Sequence, residues 1–311
     1  LQIWSEVVAR CFAMCGINRH DIVHIAYGYG LFTGGLGAHY GAEKMGCTVI
    51  PISGGNTRRQ LQIMSDFGAT VLACTPSYAL HLADAMSEHG YSLKDLKLRI
   101  GVFGAEPWTD NMRHEIEAKL GIQAHDIYGL SEIMGPGVAN DCDFKNGLHI
   151  HEDHFFPEIV HPKTGEPLPE GSEGELVFTT ITKEGIPLIR YNTRDLSTLN
   201  YEPCPCGRTL VRMKKITGRS DDMLIIRGVN LFPSQIEHVL LELKETSPHY
   251  LLIVDRENNL DTLELKVEVD RSYFTDRISE LQALSKRIQH ALNSNLGLNI
   301  KVTLVEPKTL E

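Results

Sequence analysis

The sequence predicts an α/β fold with a parallel sheet flanked by helices, a β-rich, barrel-like subdomain and a small α+β C-terminal domain. Three observations predict it. Apolar strand-like runs alternate with amphipathic helical runs through the first half, which is typical of a parallel sheet with helices on its faces. From about residue 138, short strands follow one another between turns rich in Pro and Gly. The last part returns to a mixture of strands and helices.

Local signals justify the elements of the first half. Asn56 and Gly68 bound one helix as N-cap and stop, and Pro76 lies in the first turn of the next helix. A third helix precedes residue 122, and another follows the first strand. The predicted parallel strands cover residues 21–27, 47–52, 69–74, 98–103 and 122–128.

The segment 218–311 has the predicted order β-β-α-β-β-α-β, which is typical of a compact α+β domain. A charged, Gly-containing connector at 218–222 is the kind of segment at which domains join. We therefore predict one domain over 1–217, with its β-rich part from about 138, and a second domain over 218–311.

Composition limits the class of protein. The net charge of −10 argues against binding to nucleic acid or to an anionic membrane. There is no run of 18 apolar residues. Four cysteines lie in apolar stretches and are expected in the core of a reduced, cytoplasmic protein, namely Cys11, Cys15, Cys47 and Cys74. The sequence leaves a homodimer open.

Three strand ends carry glycines together with polar side chains, in the segments 27–37, 101–108 and 128–137. Ligands of open α/β sheets bind beyond the carboxyl ends of the strands, and glycines allow the backbone to approach them. Glu106 and Glu132 each follow a strand end, where a carboxylate can bind the Mg²⁺ that accompanies phosphates. An ordinary turn with a solvated Glu explains one such loop, but three together favour a site.

Several motifs resemble those of the adenylate-forming superfamily, which contains acyl-CoA synthetases, adenylation domains and luciferases. They are "YGLSE" at 128–132, "YNTRD" at 191–195 and "GRSDDMLIIRGVNLFPSQIE" at 218–237. Together with "GVFGAEPWT" and "GYGLFTGGLGAHYGAE", they resemble the phenylacetate–coenzyme A ligases in particular. The resemblance implies ATP, Mg²⁺, coenzyme A and an aryl acid as reactants, and an acyl-adenylate intermediate that forms with release of pyrophosphate.

The resemblance implies that residues 1–217 are an adenylate-forming core, as a partial N-terminal domain, and that residues 218–311 are a mobile C-terminal domain that is incomplete at its end. It also implies roles for individual residues. Ser131 would bind a phosphate oxygen and Glu132 would hold Mg²⁺, so that these two are the candidate catalytic residues. Tyr128 would face adenine and Asp195 the ribose hydroxyls. Sheet-edge packing is the alternative for Tyr128, and a salt bridge with Arg194 is the alternative for Asp195. The candidate nucleotide-binding residues are Gly104, Ala105, Glu106, Asp126, Ile127, Tyr128, Gly129, Ser131, Asp195 and Arg219.

The remaining candidates concern the acid and the coenzyme. An aryl acid needs an apolar pocket, for which the strand-end loops supply Tyr27, Phe32, Ile133 and Pro136, although each is equally compatible with simple core packing. The resemblance implies that Asp221 is the hinge of a rotating C-terminal domain and that Arg227 and Gly228 contact coenzyme A. A salt bridge with a hinge aspartate remains the alternative for Arg219, and a solvated charge remains the alternative for Arg227.

Three further cysteines lie among turns and histidines. Cys204 and Cys206 form a tight "CPCG" turn, while Cys142 precedes a short run that contains His149 and His151. Thiols and an imidazole can complete a closed, tetrahedral zinc site of structural type. The two histidines point to opposite faces of a strand, so we expect only one ligand from them, and choose His149. The alternative is three free thiols on loops.

Two family features are absent from the sequence. No Gly/Ser/Thr-rich phosphate loop precedes Asp21, and the sequence ends at "VEPKTLE" before a catalytic lysine would be expected, so that Lys308 is not assigned that role. We expect this chain by itself to be inactive. Two alternative functions remain, an adenylate-forming ligase for another acid or a nucleotide- or zinc-binding module without catalysis.

Overall fold

The computed structural model describes residues 1–30, 33–220, 224–226, 229–243, 245–257, 260–270, 278–298 and 300–310. The chain divides into two compact units. One comprises Leu1–Trp108 and Arg113–Ile216, and the other comprises Thr109–Met112 and Thr217–Glu311.

The helices and strands of the first 216 residues follow the predicted alternation. The helices are α1 Gln2–Met14, α2 Thr33–Met45, α3 Thr57–Phe67, α4 Pro76–Glu88 and α5 Asp110–Leu120. The strands are β1 Ile22–Ile25, β2 Thr48–Ile50, β3 Val71–Cys74, β4 Ile100–Gly104, β5 Gln123–Tyr128, β6 Ala139–Asp141, β7 Leu148–Ile150, β8 Phe155–Val160, β9 Gly174–Thr180, β10 Tyr191–Ser197, β11 Leu199–Asn200 and β12 Arg212–Met213.

Nine of these strands form one mixed sheet in the order β11-β12-β7-β6-β5-β4-β3-β1-β2. In this sheet β2, β1, β3, β4 and β5 pair in parallel with one another. The remaining strands, β6, β7, β12 and β11, join it by antiparallel pairing. A second antiparallel sheet contains β8, β9 and β10. The predicted α/β class is therefore confirmed, with one difference, because four strands in the region expected to form the β-rich subdomain extend the main sheet.

Local sequence explains where the helices begin and end. The side chain of Asn56 accepts a hydrogen bond from the Arg59 amide at the start of α3, and Gly68 ends that helix in a left-handed conformation. Pro76 occupies the first turn of α4, where its missing amide costs no hydrogen bond. These helix boundaries agree with the sequence prediction.

The main core lies between the sheet and helices α1 and α2. Cys11, Cys15 and Cys74 are buried, as the apolar context of each predicts. Cys47 differs, because it is half-buried and its thiol donates to the carbonyl of Asn18 at 3.2 Å. Among the described residues, no helix is both long and apolar enough to cross a membrane.

The second unit has the predicted order β-β-α-β-β-α-β after a short initial strand. Its elements are β13 Gly218–Arg219, β14 Leu224–Ile226, β15 Val229–Leu231, α6 Pro233–Leu241, β16 Thr246–Glu257, β17 Leu260–Val269, α7 Ile278–Leu296 and β18 Lys301–Val305. The hairpin β14–β15 precedes a sheet in which β17 pairs antiparallel with β16 and parallel with β18. Apolar residues of α6, α7 and this sheet form a core of their own.

Candidate nucleotide site and cysteine–histidine cluster

The loop after β4 is held in an unusual conformation. A Cβ atom on Gly104 would lie 2.2 Å from the carbonyl oxygen of Ile127, so only glycine allows β4 to lie this close to β5. Ala105 follows with a φ of 70°, a left-handed conformation that is costly for a residue with a side chain. Glu106 then turns back toward α4, where its carboxylate accepts hydrogen bonds from the Ser77 hydroxyl at 2.9 Å and the Ser77 amide at 3.3 Å.

The end of β5 meets the second sheet through a hydrogen bond between two candidate residues. The Tyr128 hydroxyl donates to Oδ2 of Asp195 at 2.6 Å, although the two residues are 67 positions apart. The Asp195 amide donates to Thr193 Oγ1 at 3.1 Å, which fixes the backbone beside that carboxylate. Arg194, the partner in the alternative interpretation of Asp195, forms an ion pair with Glu175 at 3.4 Å. The Tyr128 ring packs against Phe178.

The loop after β5 presents its polar side chains to solvent. Ser131 and Glu132 are both exposed. The Ser131 hydroxyl lies 2.9 Å from the hydroxyl of Thr33, the first residue of α2, so this contact joins the loops that follow β1 and β5. Lys183 donates to the backbone carbonyl of Glu132.

Asp126 and Ile127 are the buried part of β5 that leads to this loop. Burial, and next the negative charge of Asp141, raise the pKa of Asp126 to about 6. We call the loops that follow β1, β3, β4 and β5, together with Asp195, the strand-end site. Its residues are Thr33, Ser77, Gly104, Ala105, Glu106, Asp126, Ile127, Tyr128, Gly129, Ser131, Glu132 and Asp195.

The structure describes three of the four pocket candidates, Tyr27, Ile133 and Pro136. Tyr27 and Ile133 are buried in the main core, and the Tyr27 hydroxyl reaches the Val102 carbonyl at 3.5 Å. Pro136 is half-buried, and its carbonyl accepts a hydrogen bond from Trp4 Nε1 at 3.3 Å. Core packing thus accounts for the burial of the first two.

The remaining candidates belong to the second unit or lie outside the described residues. Arg219 belongs to β13 of the second unit. The remaining pocket candidate and the predicted hinge and coenzyme residues lie outside the residues that the structure describes, namely Phe32, Asp221, Arg227 and Gly228.

A second group of candidates comes together in the antiparallel half of the main sheet. The ligand atoms of Cys142, His149, Cys204 and Cys206 all lie within 4.8 Å of one another. The sulfurs of Cys142 and Cys204 are 3.8 Å apart, and Cys206 Sγ is 3.6 Å from His149 Nε2. Burial, and next the charges of Arg208 and Arg212, lower the pKa of His149 to about 4, so its ring is neutral near pH 7. We call these four residues the cysteine–histidine cluster.

The sequence predicts that only one of His149 and His151 is a ligand, and the structure separates the two side chains. His151 faces away from the cluster, and its Nε2 lies 3.4 Å from the buried thiol of Cys11. The choice of His149 thus agrees with its position beside the three thiols.

Sequence reasoning missed Thr33, Ser77 and Lys183. Each contacts a candidate residue that lies at least 29 positions away. The available signal was weak and local. Thr33 and Ser77 lie at the start of helices that follow strands, which is where open sheets bind ligands.

The fold and the strand-end site define an AMP-binding enzyme. A family model described as AMP-binding enzyme matches residues 5–182, and one described as AMP-binding enzyme C-terminal domain matches residues 228–311. A solved structure of 2-hydroxyisobutyryl-CoA ligase, in the postadenylation state with R3-HIB-AMP, superposes with a TM-score of 0.92 at 28% identity. That match covers 99% of this chain and 67% of the other.

Two curated relatives are closer in sequence. The phenylacetate-coenzyme A ligase of Aromatoleum evansii is 54% identical over 100% of this chain and 70% of its own length. The enzyme of the same name from Thermus thermophilus is 52% identical over 99% of this chain and 72% of its own length. The chain belongs to the phenylacetate-coenzyme A ligase family of AMP-binding enzymes.

Proposed function

We propose that this chain serves the ATP-dependent ligation of phenylacetate to coenzyme A through an acyl-adenylate. The observation that carries the proposal is the hydrogen bond between Tyr128 and Asp195, at 2.6 Å. It unites the Tyr of "YGLSE" with the Asp of "YNTRD" at the carboxyl end of β5, where an open sheet binds its ligand. Relatives that share more than half of the sequence carry the name of this activity.

The reaction has two displacements. In the first, a carboxylate oxygen of the acid attacks the α-phosphorus of ATP, and the bond to the β-phosphate oxygen breaks to release pyrophosphate. In the second, the sulfur of coenzyme A attacks the acyl carbon, and the carbon–oxygen bond to AMP breaks. The thiol proton leaves to solvent, and the products are a thioester and AMP.

The strand-end site suits the nucleotide part of this chemistry. Asp195 is buried except for a small fraction, and a charged acceptor forms strong hydrogen bonds with ribose hydroxyls. The Tyr128 ring offers an apolar face to adenine. The strained backbone from Gly104 to Glu106 borders the base, while Asp126, Ile127 and Gly129 support it from β5.

Ser131 and Glu132 suit the phosphate part. Both are exposed at a Gly-rich loop, so a phosphate and a partly hydrated cation can reach them. Mg²⁺ keeps several of its waters and needs only one or two carboxylates, which fits the single exposed Glu132. When bound, the metal neutralises charge that develops on the phosphates. Ser131, oriented by Thr33 at 2.9 Å, hydrogen-bonds a phosphate oxygen.

The acid and the coenzyme would use the remaining candidates. The candidates for the apolar acid pocket are Tyr27, Phe32, Ile133 and Pro136, of which Tyr27 and Ile133 are also packed in the main core. Residues 1–217 form the adenylate-binding core, and residues 218–311 form a domain that rotates about Asp221 between the two displacements. In the second orientation, Arg227 and the Gly228 backbone contact coenzyme A, and Arg219 contacts the nucleotide in the first.

We also propose that the cysteine–histidine cluster holds a structural Zn²⁺. A tetrahedral zinc with Zn–S bonds of about 2.3 Å places two sulfur ligands roughly 3.8 Å apart. The observed separation of Cys142 and Cys204 is 3.8 Å, and that of Cys206 and His149 is 3.6 Å. Three thiolates and one neutral imidazole complete the coordination, which leaves no position for a substrate. Buried, reduced thiols of this kind also suit a cytoplasmic protein.

The activity is tested with the full-length protein, ATP, Mg²⁺ and a panel of aryl and aliphatic acids. We expect exchange of labelled pyrophosphate into ATP with phenylacetate, and formation of a thioester and AMP once coenzyme A is added. Exchange with another acid but not with phenylacetate would support the alternative ligase. Absence of exchange with every acid would contradict the proposal.

A further inference from the structure

A group of buried charges lies between the strand-end site and the cysteine–histidine cluster. The carboxylate of Asp141, in β6, forms an ion pair with Arg113 of α5 at 2.7 Å, and both side chains are almost fully buried. Buried charges are costly unless they are paired and hydrogen-bonded. Arg113 also donates to the Ala124 carbonyl of β5 at 2.5 Å and stacks on the Trp108 ring at 4.7 Å. None of these residues has a part in the proposed chemistry.

The second oxygen of Asp141 is bonded to β5 itself. Oδ1 accepts a hydrogen bond from the Asp126 amide at 3.1 Å and lies 3.1 Å from His125 Nδ1. The backbone pairing of β5 with β6 covers Ile127 and Tyr128. Asp126 is the residue immediately before this pairing, and its amide is bound by the Asp141 carboxylate instead of by a backbone carbonyl of β6. This hydrogen bond fixes the β5 backbone two positions before Tyr128.

Lys145 supplies a second attachment to the same strand. Its ammonium group donates to the Ala124 carbonyl at 2.7 Å, and its own amide donates to the Cys142 carbonyl at 2.9 Å. The segment 141–145 thus holds β5 from its two ends, at Asp126 through Asp141 and at Ala124 through Lys145, and both side chains also contact His125 between them. Cys142 lies between these two attachments and belongs to the cysteine–histidine cluster.

We propose that the segment 141–145 couples the two sites, so that a metal at the cysteine–histidine cluster tightens nucleotide binding at the strand-end site. Metal bound to Cys142 restrains this segment, which in turn restrains the end of β5 that carries Tyr128. Without metal, a nucleotide must order that end itself and binds more weakly, since ordering costs conformational entropy. Binding equilibria are reciprocal, so the nucleotide tightens metal binding by the same factor. The proposal rests on the nucleotide and zinc sites proposed above.

The test measures binding rather than turnover. AMP is titrated by calorimetry into full-length protein, either zinc-loaded or treated with a chelator, and circular dichroism verifies that both forms are folded. We expect the Kd of AMP to rise about tenfold on metal removal, within the usual range of coupling between sites. Zinc competition against a chromogenic chelator, with and without saturating AMP, should give the same factor.

Variants locate the coupling in the segment. In Asp141→Asn and in Lys145→Met, the ratio of AMP affinities with and without zinc should fall toward one. Lys145→Met keeps the test decisive if Asp141→Asn does not fold. Asp21→Asn is the matched control, because Asp21 is also buried and ion-paired, with Arg99 at 2.5 Å, but lies at the amino end of β1. This control should retain the full ratio.

The outcomes separate the coupling from the sites on which it rests. Equal AMP affinity in folded metal-loaded and metal-free protein overturns the coupling and leaves both sites standing. Retention of the full ratio in both segment variants overturns the proposed route. Protein that binds AMP but no zinc overturns the zinc site and the coupling together, whereas protein that binds zinc but no AMP overturns the proposed function.

Discussion

The parallel and antiparallel halves of the nine-stranded sheet build two kinds of site. In the parallel half, β1, β3, β4 and β5 all end at the same edge, so their loops converge there and stay open to solvent. In the antiparallel half, neighbouring strands run in opposite directions, and side chains meet across them, as His149 of β7 does opposite Arg212 of β12. The first arrangement leaves Ser131 and Glu132 exposed, whereas the second encloses Cys142 and Cys204.

This difference predicts that substitutions in the two sites affect different properties, the reaction rate in one case and mainly the stability of the fold in the other. Exposed residues of the strand-end site contribute little to folding, so their substitution should change catalysis and leave the free energy of unfolding nearly unaltered. Buried residues of the cysteine–histidine cluster should act mainly on the free energy of unfolding, with a smaller effect on nucleotide binding, of about tenfold, through the coupling proposed above. The variants below test that division in order of expected effect.

Glu132→Ala should have the largest effect. We expect pyrophosphate exchange to fall about a thousandfold, which is roughly 4 kcal/mol in the barrier, because charge on the phosphates loses its metal. The midpoint of urea unfolding should not change, because Glu132 is exposed. Glu170→Ala, at another exposed glutamate, is the control and should retain full activity. An active Glu132→Ala enzyme would mean that another group binds the metal.

Cys204→Ser should act mainly on stability. Metal analysis of protein purified without chelator should give one zinc per wild-type chain and none for the variant. A ligand present at a thousand times its Kd contributes about 4 kcal/mol to stability, and that contribution is lost with the site. Cys47→Ser, at a half-buried cysteine outside the cluster, should keep both metal and stability. Wild-type protein without zinc would contradict the proposed site.

His24→Asn tests the buried interior of the parallel half. Burial lowers the pKa of His24 to about 4, against a hydrogen bond at 2.5 Å to Gln60 that raises it. The unfolded chain therefore binds this proton more readily, and stability is lost as the pH falls from about 6.5 to 4, by roughly 3 kcal/mol. The variant should lose less stability between pH 7 and pH 4.5 in urea unfolding. His114→Asn, at an exposed histidine, is the control and should lose as much stability between these pH values as the wild type. An equal loss in the wild type and both variants would exclude His24 as the cause of the pH dependence.

Asp195→Asn should weaken use of ATP. A hydrogen bond to a charged acceptor is worth about 2 kcal/mol, so kcat/KM for ATP should fall roughly thirtyfold. Tyr128→Phe removes the hydroxyl that bonds Asp195 at 2.6 Å but keeps the ring, and should cause a smaller loss. If Asp195→Asn lowered the unfolding midpoint without any change in KM for ATP, the contact would be structural only.

Ser77→Ala should have the smallest effect. It removes the hydroxyl that bonds Glu106 at 2.9 Å and leaves the amide at 3.3 Å, so we expect the KM for ATP to rise about fivefold, or ~1 kcal/mol, with kcat unchanged. Ser77→Thr should restore the wild-type value. Ser87→Ala, exposed in the same helix, is the control for helix stability. An unchanged KM would show that the Glu106 side chain does not orient the loop.

Local chemistry explains which features the sequence predicted well. Asn56, Gly68 and Pro76 act on backbone within one helical turn, so the bounds of α3 and α4 follow from adjacent residues. The motifs "YGLSE" and "YNTRD" identified Tyr128 and Asp195 as candidates because each motif is continuous in the chain. The burial of Ile133 was not predictable, because apolar residues of a loop can face either a pocket or the core.

Pairing between distant segments explains what the sequence missed. The addition of β6, β7, β12 and β11 to the parallel sheet depends on contacts between strands up to 65 residues apart, such as Leu148 with Met213. No local pattern distinguishes these strands from those of the separate sheet formed by β8, β9 and β10. Ser77 was missed for the same reason, since its partner Glu106 lies 29 positions away.

The sequence by itself determined the α/β class, the helix ends and the family, because these depend on periodicity, capping and continuous motifs, and it named the four cluster residues only as candidates. Only the tertiary structure decided that Tyr128 meets Asp195, that Ser77 holds Glu106 and that Asp141 lies between the two sites. Such contacts depend on strand order and register, and these are set by burial of the whole core rather than by any one segment.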